Sequence, residues 1–144
     1  MKTPKLGKSR EGEDMHYSVG ALIKRNGKFL LIDRTNPPYG FAGIAGHIDD
    51  GESPESALVR EVEEESGLRV KSFKLLFEEE IGDNMCKRGI NIHYWRLYEC
   101  EVEGELKRNE KETKSIEWYS QSDLNKLKLE PVWKYWFKKL GYLK

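Results

Sequence analysis

An acidic segment between Gly46 and Leu68 constrains this chain more than any other part of its sequence. The segment carries eight Asp and Glu side chains but a single basic one, Arg60, so its net charge is −7. The whole chain has 25 basic and 25 acidic residues, so the rest of the protein carries +7. Any fold of this sequence must therefore hold many carboxylates close together, and their mutual repulsion must be offset.

The second half of the acidic segment predicts a helix with a carboxylate face. Ser53 can cap its start, and Gly67 is a natural stop. At about 100° per residue, Glu61, Glu64 and Glu65 fall on one side of this helix beside an apolar stripe. A hard divalent cation would relieve the repulsion between them, which indicates Mg²⁺, with Mn²⁺ as a substitute. Because Mg²⁺ often completes its coordination with substrate phosphates, the pattern points to phosphate chemistry.

The remaining segments predict several strands and a helical C-terminus. Apolar and polar residues alternate along the strands, and Asn26-Gly27 predicts a tight hairpin turn. The order of strands, helix, strands and helix indicates an α+β fold, with a mixed sheet flanked by helices. We expect strands at 17–23, 28–32, 68–81, 90–102 and 115–119, a short helix near 122–127 and a longer one from Pro131.

Length and composition exclude several classes of protein. The 144 residues suit one domain, which we expect at 15–144 after a polar, mobile tail at 1–14. The balanced charge excludes a nucleic-acid binder that relies on its overall field. No apolar run is long enough for a transmembrane helix. We expect the two cysteines, Cys86 and Cys100, to be reduced thiols of a cytoplasmic protein.

The acidic segment resembles the signature of the Nudix hydrolase family at every fixed position. That signature is glycine, five residues, glutamate, seven residues, and then Arg-Glu-aliphatic, any residue, Glu-Glu, any residue and Gly-aliphatic. The resemblance implies the α/β/α sandwich of that family, in which helices flank a mixed sheet. The matching residues are Gly46, Glu52, Arg60, Glu61, Val62, Glu64, Glu65, Gly67 and Leu68.

The resemblance also implies an activity and a set of roles. Family members hydrolyse a diphosphate that links a nucleoside to another group, by attack of water on phosphorus with the help of a divalent metal. By position, Glu61, Glu64 and Glu65 would hold the metal together with the backbone carbonyl of Ala45. Arg60 would orient one of these glutamates through charge-assisted hydrogen bonds. Three further residues would support the backbone and the loop–helix junction: Gly46, Glu52 and Gly67.

The resemblance leaves the general base open. Some family members use the glutamate that follows the arginine, which is Glu61 in this chain. Others use a glutamate from a loop near the end of the sheet. Glu112 is the candidate in the charged loop of this sequence, and Glu110 is the alternate.

The substrate is also open between ADP-ribose, a nucleotide sugar, a nucleoside triphosphate and other diphosphates. Ala45-Gly46 is similar to the arrangement in ADP-ribose and ADP-sugar pyrophosphatases, although Asp83 stands where those enzymes typically have proline. Leu129 stands where 8-oxo-guanine nucleotide hydrolases have a base-reading asparagine, which argues against that activity. We expect a small-molecule partner, no nucleic acid and no membrane, and a homodimer is consistent with the family.

A second function from another class is a Nudix-fold module that binds or senses a nucleotide without turnover. Such modules usually lose part of the glutamate cluster, whereas this chain keeps all of it. An isoprenoid-diphosphate isomerase of the same fold normally has a catalytic cysteine before the signature. No cysteine precedes Gly46 in this chain, so we set that activity aside.

Histidines and aromatic residues are assigned lesser roles. His47 follows the metal loop, and we expect it to be a loop or substrate contact because a hard-oxygen metal site does not need it. His16 and His93 fall on strand patterns and are expected to be ordinary strand residues. Trp95 and Tyr39 could stack on a base, but packing is the more common use of such side chains.

Overall fold

A computed structural model describes residues 3–143 of the chain, and it contains a mixed β-sheet with flanking helices. The predicted α+β fold class is confirmed. The helices are α1 Pro54–Ser66, α2 Gln121–Leu124 and α3 Pro131–Lys139. The strands are β1 Leu6–Lys8, β2 Asp14–Arg25, β3 Lys28–Arg34, β4 Phe41–Ala42, β5 Ile44–His47, β6 Arg69–Ile81, β7 Ile92–Glu103 and β8 Thr113–Ser120.

Strand β2 organises the sheet. It pairs in parallel with β7 along most of its length and antiparallel with β1 and β5 at its other edge. β6 extends the sheet beyond β7, while β3 continues from β2 through a hairpin and pairs with β4 and β8. Asn26 and Gly27 in that hairpin have φ values of 54° and 75°, as the predicted turn requires. The parallel β2–β7 pair makes the sheet mixed.

Strand β7 differs from the sequence expectation in how it is buried. Its alternating pattern predicts one apolar face, yet Trp95 and Leu97 on the other face are 8% and 0% exposed. β7 lies between β2 and β6 and is covered on both sides. Strands in such a position bury both faces, so their alternation is a weak guide to the core.

The N-terminal segment is also different from the expected mobile tail. β1 pairs with the first residues of β2, and the Lys5 N–H donates to the Ile48 carbonyl at 2.8 Å. Backbone pairing does not need apolar side chains, so the polar sequence gave no sign of this strand. Met1 and Lys2, which also belong to the expected tail, lie outside the described residues.

The helices form where local sequence signals place them. The Ser53 hydroxyl accepts a hydrogen bond from the Ser56 N–H and caps α1, and Gly67 ends the helix with a φ of 75°. α2 begins at Gln121, one residue earlier than expected, because Ser120 caps it in a capping box with Asp123, and it ends at Leu124. α3 buries an apolar and aromatic stripe made of Val132, Trp133, Trp136 and Phe137. Across residues 3–143, no helix combines the length and the apolar character needed to cross a membrane.

Candidate active site

One cleft of about 330 Å³ gathers the acidic residues that the signature identified. α1 contributes Glu61, Glu64 and Glu65 to its wall. Because α1 packs against β5 and β2, this side of the helix is held next to the sheet. Ala45 of β5 lines the same cleft. The structure thus brings together the four residues that the resemblance assigned to metal binding.

Glu65 is the carboxylate most withdrawn from water. The residue is 8% exposed, and within the described residues its Oε2 atom is buried without a hydrogen-bond partner. Burial raises the pKa of Glu65 well above its usual range, and the charge of Glu61 raises it further. Arg34 and a backbone hydrogen bond with Ala45 oppose this shift, whereas Glu112 adds to it. The positive charge of Arg34 therefore compensates only in part for the burial of this carboxylate and its repulsion by Glu61.

Arg60 organises the other carboxylates. Its guanidinium donates to Glu52 at 2.7 and 2.9 Å, to Glu61 at 2.6 Å and to Glu64 at 3.3 Å. It also donates to the backbone carbonyl of His47 at 3.0 Å. The hydrogen bonds that Arg60 donates to Glu52, more than any other contact, raise the pKa of Arg60 above its already high ordinary value. This pattern fits the orienting role that the resemblance gives to Arg60.

The signature glycines occupy positions where a side chain would not fit. A Cβ on Gly46 would collide with the carboxylate of Glu61, so the missing side chain allows this glutamate to lie against β5. Gly67 has a left-handed backbone, and a Cβ there would lie 2.8 Å from the Cβ of Lys107. Glu52 braces the loop before α1 by accepting from the Asp49 N–H at 3.0 Å.

The structure distinguishes between the two candidate glutamates of the charged loop. Glu112 lines the cleft, and its Oε2 accepts a hydrogen bond from Asn36 at 3.1 Å. The negative charge of Glu112 contributes to the raised pKa of Glu65, so the two carboxylates lie near each other in the cleft. The Glu110 side chain is 82% exposed and pairs with Arg108 at 3.6 Å. Among the two, Glu112 has the position that a general base needs.

Sequence reasoning missed the basic residues of the cleft. Arg34, Lys87 and Arg88 line it together with the glutamates. Arg34 is held by donation to the Pro38 carbonyl at 2.8 Å. These residues come from the end of β3 and from the loop between β6 and β7, far from the signature in sequence. Only the folded chain brings them into the same cleft as the carboxylates, where they would attract an anionic substrate.

The carboxylates fit a divalent cation. Three glutamates of one helix lie together, and the unpartnered Oε2 of Glu65 offers an oxygen that no proton donor in the described residues satisfies. Oxygen ligands of this kind are those that Mg²⁺ and Mn²⁺ prefer. A bound cation would remove both the repulsion within the cluster and the cost of burying Glu65.

The three histidines lie together beside this cleft. The rings of His16 and His47 have centroids 4.7 Å apart, and His93 stacks on His47 at 5.5 Å. Burial, reinforced by the neighbouring histidines, lowers the pKa of His47 to about 3. Burial also lowers the pKa of His93 to about 4. The sequence did not predict this cluster. Both cysteines are free thiols, as expected, and Cys86 lies beside His16.

The two candidate stacking residues take different positions. Trp95 lines the cleft but is 8% exposed, so little of its ring is available to a ligand. Tyr39 is 61% exposed and is not among the residues that line the cleft. Neither has the open ring face within the cleft that base stacking requires.

Comparison with known proteins gives the family. The model of the NUDIX domain matches residues 14–140 of this chain. The chain belongs to the Nudix family. An ADP-ribose pyrophosphatase of Methanocaldococcus jannaschii is 34% identical to this Nudix protein over 114 residues, which are 76% of this chain and 64% of that relative. The matched stretches span 38% to 64% of the length of the curated relatives.

Solved structures show the same fold. A MutT NUDIX hydrolase from Burkholderia pseudomallei matches with a TM-score of 0.67 and 26% identity, over 76% of this chain and 86% of that chain. The NUDIX domain of Shewanella oneidensis NrtR, solved in complex with ADP ribose, matches with a TM-score of 0.71 and 17% identity. That match covers 86% of this chain and 84% of the NrtR domain.

Proposed function

We propose that this Nudix protein hydrolyses the diphosphate linkage between a nucleoside and a second group, with Mg²⁺ as its metal. The observation that carries the proposal is the buried Oε2 of Glu65, which lacks a hydrogen-bond partner in the described residues and lies in a cleft with Glu61 and Glu64. The identity of 34% with an ADP-ribose pyrophosphatase supports this substrate class.

The metal would be held by Glu61, Glu64, Glu65 and the carbonyl of Ala45. When bound, the ion would neutralise charge on the diphosphate and make the attacking water more acidic. Arg60 supports the site by holding Glu61 and Glu64 through its guanidinium. The hydrogen bond that Arg60 donates to Glu61 orients the Glu61 carboxylate, so the geometry of this ligand is set before an ion arrives.

The basic residues of the cleft would bind the diphosphate. Arg34, Lys87 and Arg88 supply positive charge in the same cleft as the carboxylates. A substrate with two linked phosphates can lie between these cations and the metal, which places phosphorus close to the acidic cluster. Because the bare cluster repels anions, we expect substrate binding as well as chemistry to need metal.

Glu112 is our candidate for the residue that takes the proton from the attacking water. It lines the cleft and is oriented by Asn36, and its neighbour across the site is Glu65. Glu61 is the alternative base, but its 2.6 Å hydrogen bond to Arg60 already engages it. This contact suits a metal ligand better than a group that must accept and release a proton.

The proposed function is tested by turnover of a defined substrate panel. The purified chain is incubated with ADP-ribose, nucleotide sugars, dinucleoside polyphosphates and nucleoside triphosphates, each with Mg²⁺ and each with EDTA in its place. We expect release of a nucleoside monophosphate or of phosphate from one class, in the Mg²⁺ arm alone. Tight binding of a panel member without turnover would instead favour a nucleotide-sensing module and would refute the proposal.

Two broader expectations stay predictions. A homodimer and a cytoplasmic location were inferred from the family and from the reduced cysteines. Size-exclusion chromatography with light scattering tests the first, and fractionation of the source cells tests the second.

A further inference from the structure

All three histidines of the chain and one of its cysteines form a single cluster. One donor atom from each of His16, His47, Cys86 and His93 lies within 4.8 Å of the others. The rings of His16 and His93 are 5.9 Å apart between centroids. Imidazole and thiolate are ligands for borderline and soft metal ions, and four of them converge at this one place.

Separate segments of the fold supply these residues. His16 on β2 and His93 on β7 are direct neighbours in the parallel pairing of the two strands. His47 on β5 is paired with Ser18, two residues after His16, so the three imidazoles project from one face of the sheet. Cys86 comes from the loop between β6 and β7, and its Sγ lies 3.9 Å from Nδ1 of His16. The cluster is therefore a product of tertiary structure and not of one flexible segment.

Most of the cluster is buried. His16 is 6% exposed and His93 is 3% exposed, while Cys86 and His47 are partly exposed towards the cleft. The rings of His16, His47 and His93 lie against one another. An ion can reach the buried donors from the cleft side, so the cluster combines ligands of suitable type with a route of entry.

We propose that His16, His47, Cys86 and His93 form a zinc site that is separate from the magnesium site of the glutamates. One thiolate with three imidazoles satisfies the four positions of tetrahedral Zn²⁺. The glutamate cluster offers only oxygen, which Mg²⁺ prefers. The two groups of ligands thus select different ions within one cleft. When Zn²⁺ binds, the thiol proton of Cys86 is released to solvent and the Cys86 sulfur becomes a thiolate ligand.

Asn84 controls which nitrogen of His93 is available to the metal. If its amide oxygen lies 2.9 Å from Nδ1 of His93, Nδ1–H donates and Nε2 is left for an ion. That oxygen then also faces the Asn91 carbonyl at 2.7 Å, so the turned-over amide is better satisfied, with its nitrogen donating to Nδ1 and its oxygen accepting from the Trp95 Nε1–H at 2.9 Å. Binding of Zn²⁺ through Nε2 of His93 would therefore require Nδ1 to carry the proton and the Asn84 amide to turn. This rearrangement concerns His93 alone, so we expect His93 to be the weakest of the four ligands.

Zinc at this position would fix the loop between β6 and β7 to the sheet. Cys86 is the member of the cluster that lies in this loop, and the next two residues, Lys87 and Arg88, line the cleft. A bond from Cys86 to an ion held on β2, β5 and β7 would restrain both cations. The zinc site would then position the positive charge that meets an anionic ligand.

Metal uptake tests this proposal without any use of the hydrolase reaction. The full chain is freed of metal by chelation, supplied with excess Mg²⁺ to fill oxygen sites, and titrated with Co²⁺ and then Zn²⁺. Thiolate-to-cobalt charge-transfer absorption reports a cysteine ligand specifically. Cys86→Ala removes the proposed thiolate, and Cys100→Ala is the matched control because Cys100 is a buried core thiol outside the cluster. Circular dichroism of each variant establishes that it is folded.

We expect the wild-type chain and Cys100→Ala to bind a single Co²⁺ per chain with this absorption, and Zn²⁺ to displace it. Cys86→Ala should lose the absorption and bind Zn²⁺ more than about 100-fold more weakly. His47→Gln, which keeps the thiolate, should also weaken binding by at least about tenfold. Absence of the absorption in the wild-type chain, or Zn²⁺ affinity unchanged in both variants, would overturn the proposal.

Discussion

At the scale of single residues, Glu65 shows how a functional group can be costly to the fold. Its carboxylate is buried beside Glu61, and Oε2 lacks a hydrogen-bond partner within the described residues. An uncompensated buried charge destabilises a folded protein. Nothing in the packing of α1 requires an acid at this position, since Leu58 and Val62 already bury the apolar side of the helix. The cost is understandable if a cation is bound there.

Replacement of Glu65 should therefore stabilise the metal-free protein. A folded-state pKa above the ordinary value means that the native state is favoured by protonation, and this benefit is lost as pH rises through that pKa. At neutral pH, Glu65→Gln replaces a carboxyl group whose ionised form is disfavoured in the native state, so it should raise the free energy of unfolding. Urea unfolding in EDTA measures this, with Glu63→Gln on the exposed side of α1 as the control. A Glu65→Gln protein with a lower free energy of unfolding than both wild type and Glu63→Gln would contradict the account.

Glu112 and Glu110 provide a second test at this scale. If Glu112 accepts the proton of the attacking water, Glu112→Gln should lower kcat by about 10²–10⁴-fold and leave KM nearly unchanged. Glu110→Gln should behave as wild type, since its side chain is 82% exposed and pairs with Arg108. Steady-state kinetics on the substrate found by the panel distinguishes the two. Equal activity of both variants would show that Glu112 is not the general base and would favour Glu61.

At the scale of secondary-structure elements, local signals predicted some features well and others not at all. α1 was predictable because Ser53 and Gly67 act within one turn of the helix ends. Its carboxylate face followed from helical geometry alone. The strand β1 was missed because its pairing with β2 depends on backbone groups and not on side-chain pattern. The sequence likewise could not show which strands are neighbours in the sheet.

The histidine cluster illustrates the same limit. His16 and His93 are 77 positions apart in the numbering and become neighbours only when β2 pairs with β7. Each histidine on its own has the appearance of an ordinary strand residue. Arg34, Lys87 and Arg88 were missed for the same reason, because only the tertiary fold places them in the cleft. In contrast, Glu61, Glu64 and Glu65 belong to one helix, so their proximity was visible in the sequence.

Because β2, β5 and β7 bury three histidines together, the metal-free protein should be sensitive to acid. Burial lowers the pKa of His47 from 6.5 to about 3. Below the ordinary value, the unfolded chain binds a proton that the native state does not, so stability falls as pH falls. Between pH 6.5 and about pH 5, the lowered pKa of His47 should reduce the free energy of unfolding by roughly 2 kcal/mol. Urea unfolding of wild type and His47→Gln over this range should show a smaller loss in the variant. If the free energy of unfolding of wild type and of His47→Gln falls equally with pH, His47 does not titrate as described.

At the scale of the whole molecule, net neutrality hides an uneven distribution of charge. The segment from Gly46 to Leu68 carries −7, and the remainder carries +7. Folding brings part of that positive charge back to the acidic site, since Arg34 and Arg88 line the same cleft as the glutamates. A cleft that holds both carboxylates and basic side chains suits a substrate that is both a metal ligand and an anion. A metal-chelated diphosphate has these two properties.

The central claim is that the glutamate face of α1 performs metal-dependent hydrolysis of a diphosphate. The most direct measurement is the initial rate as a function of Mg²⁺ concentration for wild type, Glu64→Gln and Glu63→Gln. Glu64 lines the cleft and accepts a hydrogen bond from Arg60, whereas Glu63 on the same helix is not among the residues that line this cleft. We predict saturable Mg²⁺-dependent rates for wild type and Glu63→Gln, and a loss of at least about 10²-fold in folded Glu64→Gln. Full activity of Glu64→Gln, or wild-type turnover that persists in EDTA, would contradict the account.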